Sequence, residues 1–413
     1  MTFEERHKTA SRALPPALIL GLGVHGLAIA RSLGRRGVAV EAVDSDARQP
    51  HRHSRYCQRL HEVGSLEDER LLKFLIGFGR QRGRRTALFI TMDRTVPIVS
   101  AHRHILQEYF DFTLAPEAVI KELMDKTRLP GFLERCGTQH PRTVWMRGSQ
   151  DLAAVGETVG FPCVVKPALR TYGFKASIVR SSEELAEVYS QASRHSDKLV
   201  AQQWVPGRDS DVYFCFAYIG KDGNPKGLFV GHKLRQYPSG TGIAAEAAGC
   251  DDEFIRQETL KLFQLPGYKG FGSTEFRRDP VSGEYFFIEF TVGRTDYNVG
   301  CAIANGVDLP FLGYCDTVGL RAQVDLPRQR NSRRWVDLGR NVNAILAERR
   351  KQGGARLRAM ASVAACLSPR NAFTLFDAGD MRPLLIHMGH RATAVPRAIH
   401  RKVLALFNAA AGC

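Results

Sequence analysis

The sequence predicts an α/β layer, then an α+β region, then a basic helical extension. Three observations carry that reading. Short apolar runs alternate with helical patterns through the first segment, as in a parallel sheet covered by helices. Apolar runs joined by tight turns dominate the middle, as an antiparallel sheet requires. Positive charge gathers at the end: the net charge is +16 over 413 residues, and residues 327–413 hold 16 Lys and Arg against 4 Asp and Glu.

With 44% hydrophobic and 24% charged residues, the composition is that of a folded globular protein. It excludes a disordered tail protein, a collagen-like repeat and a multi-span membrane protein. Nine scattered cysteines, with no CxxC and no zinc-ligand spacing, argue for reduced thiols rather than a disulfide or zinc framework. The apolar stretch 13–30 follows Glu4 and Glu5, is interrupted by His25 and is punctuated by glycines. A strand–turn–helix is expected there rather than a signal peptide, and hence a cytoplasmic protein.

In chain order, Ala17–Leu20 and 38–43 read as strands around a helix over 25–36, followed by a helix over 66–78 and a buried strand over 87–91. Gly21-Leu22-Gly23-Val24-His25-Gly26 opens the first helix, and Asp44 ends the second strand. This is the spacing of a dinucleotide fingerprint, and it leaves two readings open: NAD binding, or a tight turn that binds another anion or nothing. Helical pattern continues from 111 to 135. FPCVVKP at 161–167 reads as a buried strand, and the loop over 168–174 precedes a second strand ending at Val179. A helix over 182–193 has an acidic first turn, which its dipole favours. A strand over 199–205 runs into Pro206-Gly207, and strands over 211–219 and 226–234 flank a K-D-G-N turn. After a helix over 252–265, strands at 270–277 and 284–290 face each other across a turn.

Three features resist explanation as packing. Lys166 ends an apolar run, and a buried lysine is costly unless an anion such as phosphate pairs with it; the alternative is a lysine that snorkels from the strand end. Glu275 and Glu289 sit among apolar residues on strands joined by one turn, so they can share a face and hold a cation such as magnesium. The alternative is two rim carboxylates paired with Arg277 and Arg294. The run Gln202-Gln203-Trp204-Val205-Pro206-Gly207, followed by Asp209 and Asp211, reads either as an adenine and ribose site or as a strand end with a solvated acidic turn.

Taken in order, these features resemble the ATP-grasp superfamily, in its carboxylate–amine ligase branch, which includes D-aspartate ligase. The resemblance runs from about residue 15 to 320 and includes M-D-K at 124–126, FPCVVKP, V-P-G-R-D-S-D, H-K-L-R-Q-Y-P, G-F-G-S-T-E-F and F-I-E-F-T-V-G-R-T-D. It implies a Rossmann-like domain at 1–115 and an ATP-grasp domain at 116–326, with a small lobe at about 125–205 and a large lobe at 206–326. The basic extension is 327–413. By the same resemblance Lys126 and Lys166 hold the α- and β-phosphates, and the loop with Thr171, Tyr172 and Gly173 closes over the triphosphate. Gln203, standing where the family usually has Glu, would form the adenine hinge with Trp204 and Val205, and Asp211 would contact the ribose. Glu275 and Glu289 would bridge two Mg2+ ions, which Mn2+ can replace, with Thr291 where an asparagine ligand is usual. Lys233 and Arg235 would face the γ-phosphate or the incoming carboxylate, and Arg294 the acceptor carboxylate or the tetrahedral oxyanion.

The implied activity is ATP-dependent amide formation between a small-molecule carboxylate and an amine, through an acyl phosphate, with ADP and phosphate released. An amino acid or a cell-envelope precursor would suit it as substrate. Two alternatives stand beside it: a nucleotide-binding relative without turnover, motivated by Gln203 and Thr291, and an NAD-dependent oxidoreductase. No nucleic-acid recognition motif accompanies the positive charge. The extension reads as a helical cap on the core or as a peripheral contact with an anionic membrane through a helix over 396–408. A homodimer is compatible with the sequence.

Overall fold

The first turn shows why its glycines are there. Gly21 adopts φ +92°, and a Cβ on Gly26 would collide with the Gly21 carbonyl. In the computed structural model, which describes residues 14–320, 326–352, 363–364 and 366–390, this turn joins β1 (Ala17–Leu20) to the helix Val24–Gly34. The Asp44 carboxylate accepts the Leu22 N–H at 2.7 Å, so the turn is closed by the protein's own acid. Parallel pairing with β2 (Val40–Asp44), β3 (Arg59–Glu62), β4 (Thr86–Ile90) and β5 (Phe110–Asp111) gives a five-stranded sheet in the order β3-β2-β1-β4-β5. The order reverses between β1 and β4, and open α/β sheets place ligands at the carboxyl ends there.

A four-stranded antiparallel sheet follows: β6 (Thr143–Met146), β7 (Cys163–Pro167), β8 (Ser177–Val179) and β9 (Leu199–Gln203), ordered β6-β9-β7-β8. Helices Leu152–Thr158 and Ser182–Ala192 cover it, burying Val155 and Leu185. Ser181 caps the second helix by accepting the Glu184 N–H.

The largest sheet has seven strands: β10 (Val212–Ile219), β11 (Pro225–Tyr237), β12 (Ile243–Gly249), β13 (Gly270–Arg278), β14 (Tyr285–Val292), β15 (Arg334–Val336) and β16 (Ala372–Phe373). Its order is β14-β13-β10-β11-β12-β15-β16. One core joins it to the N-terminal sheet, with Leu18 and Phe110 in the same cluster as Leu262 and Phe290. This shared core holds the carboxyl ends of β1 and β4 against the large sheet.

Two differences from the sequence reading stand out. The alanine-rich segment at 243–249 carries no strand pattern, yet it is β12, because pairing along β11 overrides local propensity. The extension is not simply helical. β15 and β16 add to the large sheet before and after the helix Leu338–Gln352, and the chain then returns to the N-terminal sheet. There Arg31 donates to Asp380 at 2.9 Å and to the Thr374 and Leu375 carbonyls at 3.0 and 2.9 Å. The helix expected at 396–408 lies outside the described residues, among which no helix is long and apolar enough to cross a membrane.

Candidate active site

Three surfaces meet at a cleft of about 550 Å³: the carboxyl ends of β1 and β4, the β7–β9 face of the small sheet, and the β11, β13 and β14 face of the large one. β13 and β14 pair with Glu275 opposite Glu289 and Ser273 opposite Thr291. Period two then sends Glu275, Glu289 and Thr291 to the cleft side together. Each carboxylate has gathered cations. Lys233, 4% exposed, donates to Glu275 at 2.9 Å. Lys126 Nζ lies 3.5 Å and Arg170 Nη2 3.6 Å from Glu289. Burial alone would raise the Glu289 pKa, but Arg170, followed by Lys126, Lys166 and Lys175, outweighs it and holds the carboxyl well below its ordinary range.

Lys166 lies at the cleft end of β7 and donates to Gln202 Oε1 at 2.7 Å. Burial first, and Lys126 second, push its pKa down to about 8, with Glu289 and Glu275 offsetting only part of the shift. Its pairing is incomplete, and an anion in the cleft would complete it.

The loop after β7 reaches the N-terminal sheet. The Lys126 N–H donates to the Ala168 carbonyl at 3.1 Å. Arg170 pairs with Asp93 at 2.8 Å. The Tyr172 hydroxyl donates to Glu67 at 2.6 Å, with the Arg94 guanidinium 3.7 Å above its ring. Lys175 donates to the Thr241 carbonyl at 2.7 Å. Thr171 lines the cleft, but its hydroxyl is committed to the His195 carbonyl at 2.9 Å. Gly173 has φ +83°, and a Cβ there would collide with the His195 ring.

At the hinge, Gln203 N–H donates to the Arg142 carbonyl at 2.8 Å and Trp204 N–H to that of Pro162 at 3.2 Å. The Gln203 side chain accepts from Arg142 Nε at 3.2 Å, so its neighbour Gln202 is the one whose amide faces Lys166. Arg277, 5% exposed, lies 4.6 Å over the Trp204 ring and donates to the Val205 carbonyl at 3.3 Å.

Three expected residues are placed differently. Arg235 does not line the cleft. The β11–β12 pairing slips between Lys233 and Arg235, which breaks the alternation that would have put both on one face, and Arg235 donates to Glu246 at 2.7 Å. Asp211 also lies off the cleft and accepts the Arg208 N–H at 2.7 Å, closing the turn before β10. Arg294 is in the cleft, but its guanidinium is engaged bidentately by Asp93 at 2.5 and 3.0 Å and donates to the Thr295 carbonyl at 2.8 Å. Burial would raise the Asp93 carboxyl, yet Arg294 and Arg170 together hold it below its ordinary value.

The fold around this cleft has known counterparts. Residues 139–222 match the family model described as D-ala D-ala ligase C-terminus. The biotin carboxylase domain of the Hydrogenobacter thermophilus 2-oxoglutarate carboxylase, solved with MgADP and bicarbonate, superposes with a TM-score of 0.64 at 15% identity, covering 78% of this chain and 73% of that one. The chain has the ATP-grasp fold. D-aspartate ligase from Enterococcus faecium is 24% identical over 318 residues, 71% of this chain and 74% of that protein. D-alanine–D-alanine ligase from Alkalilimnicola ehrlichii is 25% identical over 202 residues, 46% of this chain and 63% of that enzyme. Both sequence relatives are ligases by name, and the structural neighbour was solved with MgADP.

No group of three or more Asp, Glu, His or Cys side chains poised around a metal occurs among the described residues. Magnesium requires less than that: one or two carboxylates, with water and phosphate oxygens completing its shell. The facing Glu275 and Glu289, with the Thr291 hydroxyl on the same wall, fit that donor set.

Sequence reasoning missed Asp93, Arg94, Arg170 and Lys175 in the cleft, and it named Gln202 only within the hinge run and Arg277 only as a rim partner. Charges at the carboxyl end of β4, in M-D-R, were a readable sign, since ligands gather at such strand ends. So were the basic residues of the R-T-Y-G-F-K loop.

Proposed function

We propose that this chain is an ATP-dependent carboxylate–amine ligase that forms an amide through an acyl phosphate and releases ADP and phosphate. One observation carries the reading: the facing Glu275 and Glu289 share a cleft with Lys126, Lys166 and Lys233, an arrangement suited to a metal-bound triphosphate. In this reading Lys126 and Lys166 hold the α- and β-phosphates, and Lys233 turns from Glu275 toward the γ-phosphate. The Gln203 and Trp204 N–H groups already have partners, so adenine recognition falls to Val205, with Trp204 stiffened by Arg277. Magnesium, or manganese in its place, would be held by Glu275, Glu289 and Thr291 and would supply charge neutralisation between two anions.

The acid's carboxylate oxygen attacks the γ-phosphorus, the bond to the β-bridging oxygen breaks, and ADP leaves. The amine then attacks the acyl carbon, phosphate departs, and the amine loses a proton. Arg170 and the Tyr172–Glu67–Arg94 contact hold the loop shut and keep water from the acyl phosphate. Arg294, braced by Asp93, is a positioning residue for the acceptor end of the cleft.

The test is ADP release with ATP and Mg2+ across D- and L-amino acids and small dicarboxylic acids, starting from D-aspartate and D-alanine, with mass spectrometry of the product. Acid-dependent ADP release with an amide product supports the ligase reading. Nucleotide binding without release on any acid would make the chain a non-turning relative.

A further inference from the structure

The basic extension reaches the cleft through one aromatic ring. Tyr297 lines the cleft after β14, with the His25 ring edge-on and the centroids 6.0 Å apart. His25 belongs to the first turn of the helix after β1, so Tyr297 stands where the N-terminal sheet meets the large one. Three residues of the extension surround it. Trp335 on β15, 2% exposed, meets the Tyr297 ring edge to face, centroids 5.8 Å apart. Asp337 accepts the Tyr297 hydroxyl at 2.6 Å. The Arg340 guanidinium lies 5.3 Å from the ring centroid; its Nε donates to the same hydroxyl at 3.2 Å and pairs with Asp337 at 3.4 Å. Burial, then Asp337, raise the Tyr297 pKa above its ordinary value, so the hydroxyl stays a donor. That hydroxyl is spent on the extension, and the ring is what the cleft receives.

Asp337 is itself fixed. Its N–H donates to the Ala245 carbonyl on β12 at 2.9 Å, and its other carboxylate oxygen caps the helix Leu338–Gln352 by accepting the Arg340 N–H at 3.1 Å. The helix Val299–Ala304, which follows Tyr297, carries the extension on its back. Beyond its end the fully buried Asn305 donates to the Arg333 carbonyl at 2.9 Å and accepts the Ser332 and Arg333 N–H groups at 3.1 and 3.0 Å. A Cβ on Gly300 would come within 2.9 Å of Trp335 Nε1, so the two pack without a gap. Farther along, Asp380 ties the extension to the N-terminal domain: beside Arg31 it accepts the Ser54 hydroxyl at 2.6 Å and the Arg55 N–H at 2.9 Å. The extension therefore grips both walls that meet at Tyr297. A buried hydroxyl–carboxylate bond with an arginine upon it holds a ring more narrowly than apolar packing does.

We propose that Asp337 and Arg340 are positioning residues for Tyr297, and that the extension thereby backs the end of the cleft away from the nucleotide and sets the affinity for the small-molecule substrate there. This rests on the ligase reading and gives the extension a part in it. Lys166 and Trp204, which that reading assigns to the nucleotide, belong to β7 and the end of β9 and owe nothing to these contacts.

The experiment uses the full chain with Asp337→Asn, which keeps the helix cap, and Tyr297→Phe, which keeps the ring against Trp335, alone and together. Hydrogen exchange read by mass spectrometry should quicken about three- to tenfold over residues 294–300 in each variant, with residues 163–167 unchanged. MgADP affinity by calorimetry should stay within about twofold. In the assay of acid-dependent ADP release, KM for the acid or the amine should rise about tenfold, with kcat within about threefold and KM for MgATP unmoved. The double variant should be no worse than the worse single one, because both remove the same contact. Unchanged exchange in Asp337→Asn, or additive effects in the double variant, overturns the positioning. So does a loss of MgADP affinity or a rise in every Michaelis constant together, which a merely structural extension would give. A wild type that binds MgADP yet releases ADP with no acid sinks the ligase reading and the substrate effect with it, while the exchange measurement still decides whether the extension positions Tyr297.

Discussion

The two walls of the cleft differ in charge. The small sheet and its loop present the cations Lys166, Arg170 and Lys175, while the large sheet presents the carboxylates Glu275 and Glu289 beside Lys233 and Arg277. Cations reach across, Arg170 to Glu289 at 3.6 Å and Lys126 to the same carboxylate at 3.5 Å. The comparison teaches that neither wall is complete alone. The carboxylates are satisfied by lysine and arginine, whereas Lys166 is left with a depressed pKa and an amide oxygen for a partner. A triphosphate with a divalent cation has the charge pattern to separate the walls and satisfy both.

Four changes would break or sharpen that contrast. The largest effect is expected from Glu289→Gln, which removes the carboxylate that Arg170 and Lys126 share. Acid-dependent ADP release should fall by about 10³-fold with the circular dichroism unchanged; turnover within tenfold of wild type would detach this wall from the chemistry.

Lys166→Met should weaken ATP binding by about ten- to a hundredfold, because an uncompensated phosphate charge is left in a buried site. The wild type should also show a pH signature. A folded-state pKa of about 8 means that free Lys166 is charged below that pH and neutral above it, so ATP affinity should fall as pH rises through 8. Lys166→Arg should flatten that profile, and a wild-type profile with no fall between about pH 7 and 9.5 would count against the lysine as a phosphate contact.

Tyr172→Phe, which deletes the hydroxyl bond to Glu67, tests the seal between the walls. The ADP released per amide formed should rise about two- to fivefold as water reaches the acyl phosphate. The smallest catalytic effect is expected from Arg235→Met, since that guanidinium serves Glu246 outside the cleft. Turnover should stay within about twofold, and chemical denaturation should show a loss of about 1–2 kcal/mol, because Glu246 is left with Arg334 and Asn341 as its partners among the described residues.

A second contrast concerns legibility. Lys166, Glu275 and Glu289 could be found by reading, because a charge inside an apolar run is an anomaly visible locally. Lys233 and Arg235 look equivalent at period two, and only the slip in the β11–β12 pairing separates a cleft lysine from an arginine bound to Glu246. Gln202 and Gln203 show the converse: alternation puts them on opposite faces, but which face is the cleft depends on how β9 sits between β6 and β7. The extension was legible in charge and not in form, because β15 and β16 are too short to declare themselves without the sheet edge they complete.

From residue order alone come the alternating strands and helices, the turn that only glycine can make at Gly21 and Gly26, and the shared face of two acids on paired strands. These follow from backbone sterics and side-chain periodicity, which act over a few residues. Tertiary structure decided the partners: Arg294 with Asp93, Tyr172 with Glu67, and Lys233 with Glu275. Residues far apart in the chain meet there because a common core packs the N-terminal sheet against the large one, and burial then determines which charges pair and which are left waiting.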